Sequence, residues 1–255
     1  MSPDTAPSFM ALTLRTIKAC FEGLPLSLSL AFASLLLGLL LSVPLAVVHS
    51  KRRTFGAKVV RAYTYFFTGT PLLVQMYLIY NGVAETQWYG QLIAIPAFEF
   101  LKDAYPWVLL AFILNTTAYS TELFSGAIRN MDNGEVEAGR AYGMSMSQVM
   151  RHIILPSSLR RALPAYSNEV ILMIQATSLA SLFTLVEIMG KAQEIQQETY
   201  RSFPVYVAAG LVYLGLTLAV VFAFKCLEKH AKAFCRVQHL SVNRRTGEER
   251  HISPL

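Results

Sequence analysis

Glu137-Ala138-Gly139, then three residues, Gly143, then nine residues, Ile153, one residue, and Leu155-Pro156 form the ordered centre of a polar stretch between two long apolar segments. Residues this polar do not sit in hydrocarbon, and their order is that of short helices rather than of a linker. Asn133 is placed to be an N-cap, with Glu135 and Glu137 in the turn that follows, where carboxylates complement the positive end of a helix. Gly143 suits a C-terminal stop, because glycine adopts the left-handed conformation without steric cost. Ser145 and Gln148 then have capping-box spacing, Val149 and Ile153 stack four apart, and Pro156 is expected to end the run. Two short helices meeting at a glycine make a compact surface on which another protein can dock.

The remainder of the chain puts that surface at a membrane. Of the 255 residues 54% are hydrophobic, and the mean hydropathy is +0.42, which excludes an ordinary soluble fold. The apolar residues are blocked into runs. Residues 24–48 carry no charge and suffice to cross a hydrocarbon core about 30 Å thick. Further runs cover 59–84, 107–128, 163–189 and 205–224. The expected fold is therefore an all-α integral membrane protein of five transmembrane helices, with the docking element between spans 3 and 4. The first run is too long for a signal-peptide core, and Asp4, Arg15, Lys18 and Glu22 before it sum to zero, so it is expected to remain in the mature protein.

Charge placement sets the orientation. Lys51, Arg52, Arg53, Lys58 and Arg61 follow the first run without an acid, and Arg129, Arg140, Arg151, Arg160 and Arg161 outnumber Asp132, Glu135 and Glu137 after the third. Glu85, Glu99, Lys102 and Asp103 leave the second loop net negative, as do Glu187, Lys191, Glu194, Glu198 and Arg201 in the fourth. Positive loops lie inside, so the N-terminus is expected outside and the C-terminus inside. Seven basic residues against three acids between Lys225 and Arg250 agree with that. The +6 net charge thus reports topology and calls for no nucleic-acid partner. The expected organisation is an extracytoplasmic segment 1–23, a transmembrane domain 24–225 and a basic, partly disordered cytoplasmic tail 226–255.

Cys20, Cys226 and Cys235 are odd in number and show no metal-like pairing; His49, His152, His230, His239 and His251 are scattered and read as solvated surface. No metal site is expected. Within the runs, Thr68-Gly69-Thr70-Pro71 breaks the second span before Gln75, because proline removes a backbone donor, and such a bend is tolerable only where protein or water covers the freed carbonyl. Asn115, Ala118, Tyr119, Glu122, Ser125 and Gly126 form one polar, small-residue stripe in the third span. Glu122 needs a partner at that depth, and a neighbouring helix or a substrate would serve. Asn168 and Glu169 open the fourth span, where Thr177, Ser181 and Thr184 share a face with Ala180; Glu169 is open to the same two readings.

The long spacing around Gly143 resembles the EAA loop of ABC importer membrane subunits, with Gly139 where that family usually carries a second alanine. Thr68 to Gln75, the stripe from Asn115 to Arg129, and Asn168-Glu169 with Thr177-Ser178-Leu179 are similar to the polar amino-acid uptake branch, specifically its histidine, arginine, ornithine and opine permeases; one departure is Thr68, where many members carry arginine. The resemblance implies a multi-pass subunit of a bacterial inner membrane. Glu137, Ala138, Gly139, Arg140, Gly143, Ile153, Leu155 and Pro156 would form the coupling helix and its support. Gln75, Asn115, Tyr119, Glu122, Asn168, Glu169, Thr177, Ser178 and Ser181 are the candidate substrate pathway. It implies as partners an ABC ATPase in two copies, a second permease that is a paralogue or an identical copy, an extracytoplasmic amino-acid-binding protein and membrane lipid. No cofactor is expected in this chain, with ATP and Mg²⁺ held by the ATPase: its nearest approach to a phosphate loop, residues 134–141, lacks the Gly-Lys-Ser/Thr ending. Two carboxylates in the spans point to a basic amino acid. A stand-alone secondary transporter or channel would need an internal repeat, and a membrane enzyme a catalytic motif; the sequence displays neither.

Overall fold

The computed structural model describes residues 8–51 and 53–249, with side chains described through Cys226. Readings that rest on Asp4, Arg52 and residues 250–255, or on the side chains of His230, Cys235 and His239, lie outside the described residues. Among those described there are ten α-helices and no strand. They are α1 (Phe9–Ser50), α2 (Phe55–Gly69), α3 (Leu72–Ala84), α4 (Gln87–Ile93), α5 (Ala104–Arg129), α6 (Asn133–Ala141), α7 (Met146–Val149), α8 (Leu155–Ala176), α9 (Ile188–Thr199) and α10 (Ser202–Glu249). Pro96–Lys102 and Thr177–Phe183 form 3₁₀ turns and Met150–Ile154 a π turn.

The central event is the pairing of α1 with α5, the most extensive helix contact among the described residues. It follows from one side of α1: Thr13, Thr16, Cys20, Gly23, Ser27, Ala31, Ser34, Gly38, Ser42 and Ala46 are buried at three- and four-residue spacing. Between helices surrounded by lipid there is no hydrophobic drive, so small residues that let backbones approach supply the packing. Gly38 faces Thr116 of α5, and a Cβ at Gly23 would stand 2.5 Å from the Glu187 carbonyl carbon. A core of Leu30, Met76, Val108, Phe112, Met173, Ile174 and Phe183 fills the space between α1, α3, α5 and α8.

The helices differ in extent from the apolar runs of the sequence. α1 begins at Phe9, so the described part of the segment 1–23 is helical: Leu12 and Cys20 pack on α9 and α10 and Thr16 is buried, while Arg15, Lys18 and Glu22 face outward. Arg15 pairs with Glu198 at 2.6 Å. The run 163–189 is not one helix: α8 ends at Ala176, a 3₁₀ turn follows, and Thr184 takes a left-handed φ of 62°. Hydroxyls explain the change, since Thr177 donates to the Ile174 carbonyl, Ser178 to that of Gln175 and Ser181 to that of Ser178. The backbone of α10 stays helical through Glu249, within the tail 226–255.

Phe9–Ser50 and Ser202–Cys226 are long and apolar enough to cross a membrane on their own, and the pair Met146–Phe183 and Ile188–Thr199, bent by 47°, makes a third if taken as one. α2 with α3 is divided at the expected Thr70-Pro71 break. α5 is 26 residues long but diluted by Asn115, Thr116, Thr117, Ser120, Thr121 and Ser125, all buried inside the bundle.

Candidate functional site

The break between α2 and α3 is where polar chemistry collects. Thr70 and Pro71 are extended, which strands carbonyls that a continuous helix would satisfy. Gln75, 2% exposed, covers them: its Nε2 donates to the Phe67 carbonyl at 2.8 Å, the Thr70 carbonyl at 2.9 Å and Thr70 Oγ1 at 2.8 Å. Asn115 of α5 donates to Gln75 Oε1 at 3.0 Å and to the Phe67 carbonyl at 3.4 Å, and the Tyr119 hydroxyl donates to the Thr68 carbonyl at 3.3 Å. A cavity of about 230 Å³ opens beside this knot, lined by Thr70, Pro71, Asn115, Tyr119, Glu169 and Met173 among others. It is smaller than the roughly 300–1,000 Å³ of sites for drug-sized ligands and suits a small solute.

The three carboxylates of the helical interior differ in what engages them. Glu187 is fully buried and saturated: Ser27 Oγ and the Tyr213 hydroxyl donate to one oxygen at 3.1 and 2.7 Å, and the Met189 and Gly190 amides to the other at 2.9 and 3.0 Å. Glu122 accepts from Thr64 Oγ1 at 2.5 Å and lies 3.7 Å from His49 Nε2. Glu122 thus has partners on the neighbouring helices α1 and α2. Glu169 is half-buried on the cavity wall and makes no hydrogen bond or ion pair with the described residues. Of the three, it is the carboxylate that no described donor engages.

The polar loop has the two-helix form expected, with two corrections. Asp132, rather than Asn133, caps α6, accepting from the Gly134 amide at 2.9 Å; both types cap well, and the carboxylate sits one residue earlier on extended backbone. Gly143 turns the chain with φ at 78°, and Ser145 and Gln148 form the full capping box of α7. Pro156 does not end the run. It lies in the first turn of α8, where its missing N–H costs nothing, after the π turn 150–154. Gly139 is buried because it packs on Ile153: a Cβ there would meet Ile153 Cδ1 at 2.6 Å and Val149 Cγ2 at 3.3 Å. Glu137, Ala138, Arg140 and Tyr142 are exposed on the outer side, and Glu135 binds Arg161 of α8 at 2.5 Å.

Of the candidate pathway residues, the structure brings Asn115, Tyr119 and Glu169 to one cavity with Gln75 directly behind, and sets Glu122 further along α5. Asn168 is exposed outside that lining; Thr177, Ser178 and Ser181 spend their hydroxyls on backbone carbonyls, and Ser181 also accepts from Gln193. Two residues stand elsewhere than the sequence suggests. His49 is 2% exposed, its Nδ1 2.8 Å from Ser125 Oγ, rather than solvated, because the last turn of α1 lies against α5. Glu187, counted as a loop acid, is the buried N-cap of α9. Its position before Ile188-Met189-Gly190 is the one sequence signal that could have found it.

The family model for binding-protein-dependent transport system inner membrane components matches residues 34–233. A nopaline transport system permease protein of Agrobacterium fabrum is 40% identical over 209 residues, 82% of this chain and 86% of that protein. A histidine/lysine/arginine/ornithine transport system permease protein of Salmonella typhimurium is also 40% identical over 209 residues, 82% of this chain and 88% of its own length. A crystal structure of an amino acid ABC transporter with histidines contains a chain that matches at a TM-score of 0.74 and 27% identity, over 89% of this chain and all of that one.

Proposed function

The chain belongs to the binding-protein-dependent transport system inner membrane components, and from that membership we propose that it forms half of the pathway of an importer for basic amino acids. It is an inner-membrane permease subunit of the amino-acid ABC importer class, a non-catalytic transport component. Its cargo on this reading is histidine, arginine, lysine, ornithine or an opine, in line with the substrates named for the relatives. The observation that carries the reading is Glu169: a half-buried carboxylate with no hydrogen bond or ion pair among the described residues, on the wall of a cavity sized for a small solute.

The five spans would be α1, α2 with α3, α5, α8 with its 3₁₀ turn, and the apolar part of α10. The N-terminal side lies outside and the C-terminal side inside, as the basic loops require. Residues 24–225 then serve as the transmembrane domain, 1–23 as an extracytoplasmic segment, and 226–255 as a cytoplasmic tail. α6 and α7 face the cytoplasm as the coupling element, Glu137, Ala138 and Arg140 presenting to an ATPase while Gly139, Gly143, Ile153, Leu155 and Pro156 shape the turn behind them. Two ATPase copies would bind ATP and Mg²⁺, a second permease would complete the pathway, and an extracytoplasmic binding protein would deliver the amino acid.

Glu169→Gln tests the substrate role, since it keeps the volume and removes the charge. One cation held at about 4 Å from a carboxylate contributes on the order of 1 to 4 kcal/mol at effective dielectrics between water and protein. Uptake of arginine and histidine is expected to fall by about fivefold or more on that basis, with neutral amino acids competing relatively better and the yield of assembled complex unchanged. Unaltered selectivity in a well-assembled Glu169→Gln transporter removes Glu169 from the pathway.

A further inference from the structure

The connection between α3 and α5 carries an apolar surface that nothing in the fold covers. Every residue from Ala94 to Phe100 is exposed, and all but Glu99 are apolar. Trp88 is 52% exposed, Ile95 48% and Phe100 57%. The segment is not loose chain. The Tyr89 hydroxyl and Trp107 Nε1 both donate to the Leu101 carbonyl at 2.8 Å, and the two rings meet edge to face at 5.8 Å, so that the connection is tied to the start of α5.

The 3₁₀ turn Pro96–Lys102 sorts its residues by side. Three residues per turn stack positions i and i+3, so Pro96, Glu99 and Lys102 make one ridge, while Phe98 with Leu101 and Ala97 with Phe100 make the other two. Lys102 Nζ bonds Glu99 Oε1 at 3.2 Å along the first ridge. One side is therefore an ion pair and the others are aromatic and aliphatic.

We infer that this segment lies in the outer interface of the bilayer as a monotopic anchor, with its aromatic ridges among the lipid acyl chains and the Glu99–Lys102 ridge in water. It rests on the membership and the orientation given above. Three observations select lipid over another protein. Both ends join helices of the membrane bundle, and α3 itself carries exposed apolar side chains such as Val74 and Leu78. α4 and the 3₁₀ turn rise only about 10 and 14 Å along their axes, so a folded connection this short stays near a headgroup zone about 5–8 Å deep. Its residues are tryptophan, tyrosine and phenylalanine flanked by charge, the composition of interfacial belts and in-plane helices.

Nitroxide scanning of the assembled importer in liposomes tests this, with Cys226 and Cys235 replaced by serine and the buried Cys20 retained. Labels go at Phe98→Cys, Glu99→Cys and Phe100→Cys, with Phe222→Cys on the exposed side of α10 as the lipid reference. Collisions with oxygen, which concentrates in lipid, are compared with those of a water-soluble nickel chelate. The expected pattern alternates: an oxygen-to-nickel ratio severalfold higher at 98 and 100 than at 99, with 98 and 100 approaching the value at 222. Nickel-dominated collisions at all three sites overturn the anchor, and so does shielding of 98 and 100 from both reagents, which would mean that a protein partner covers the face. An oxygen-poor Phe222→Cys would instead refute the membrane placement of α10, a separate failure.

Discussion

Gly143 shows how much one residue decides at the docking loop. Its φ of 78° lies where an L side chain is strained, while a Cβ at this position would meet no heavy atom within 4 Å, so the penalty of a substitution is in the backbone alone. Gly143→Val should cost roughly 1–2 kcal/mol or more, concentrated in the α6–α7 turn. The chain should insert and assemble, and substrate-stimulated ATP hydrolysis by the assembled importer should fall severalfold; undiminished stimulation would disconnect this turn from coupling. The left-handed stop and the capping box of Ser145 and Gln148 were legible in the sequence because both are set by near neighbours. Gly139 was not. Noted there only as a departure from the usual alanine, it is the floor on which Ile153 rests, a relation made by the turn at Gly143 and the π turn together.

Among the elements, the α2–α3 break was readable from Pro71, and its solution was not, since Gln75 and Asn115 are 40 residues apart in the chain. Gln75→Leu keeps most of the volume while withdrawing the donor shared by the Phe67 and Thr70 carbonyls. Leaving a buried acceptor unsatisfied costs about 1–3 kcal/mol, so the purified complex should melt several degrees lower, and uptake should drop with it. A melting temperature equal to that of the parent would show that the break is held otherwise. The fourth span failed as a sequence reading for a related reason. Thr177, Ser178 and Ser181 look like a polar lining at helical spacing, yet each hydroxyl turns back to its own backbone and the helix tightens into a 3₁₀ turn.

For the molecule as a whole, apolar run length located the helices and said little about their contacts. The small residues of α1 were passed over because they are scattered through an uninterrupted hydrophobic run, although their spacing places them all on the buried side. Gly38→Ala should separate α1 from α5, as the added methyl runs into Thr116 Cγ2, at a cost of about 1–3 kcal/mol and with loss of folded yield in detergent. Thr116→Ser removes that methyl, and the double variant should recover most of the yield; no recovery would place the damage elsewhere. α1 is also fastened at mid-length, by Ser27 on the Glu187 carboxylate, and in its last turn, by His49 against Ser125. Any cycle that preserves those bonds must swing α1, α5, α9 and the start of α10 as a single stiff frame. The freedom to admit and release a guest then falls to joints outside that frame where helical hydrogen bonding is already interrupted, such as Thr70-Pro71 on the cavity wall and Thr184 beyond the end of α8, which would work like knuckles.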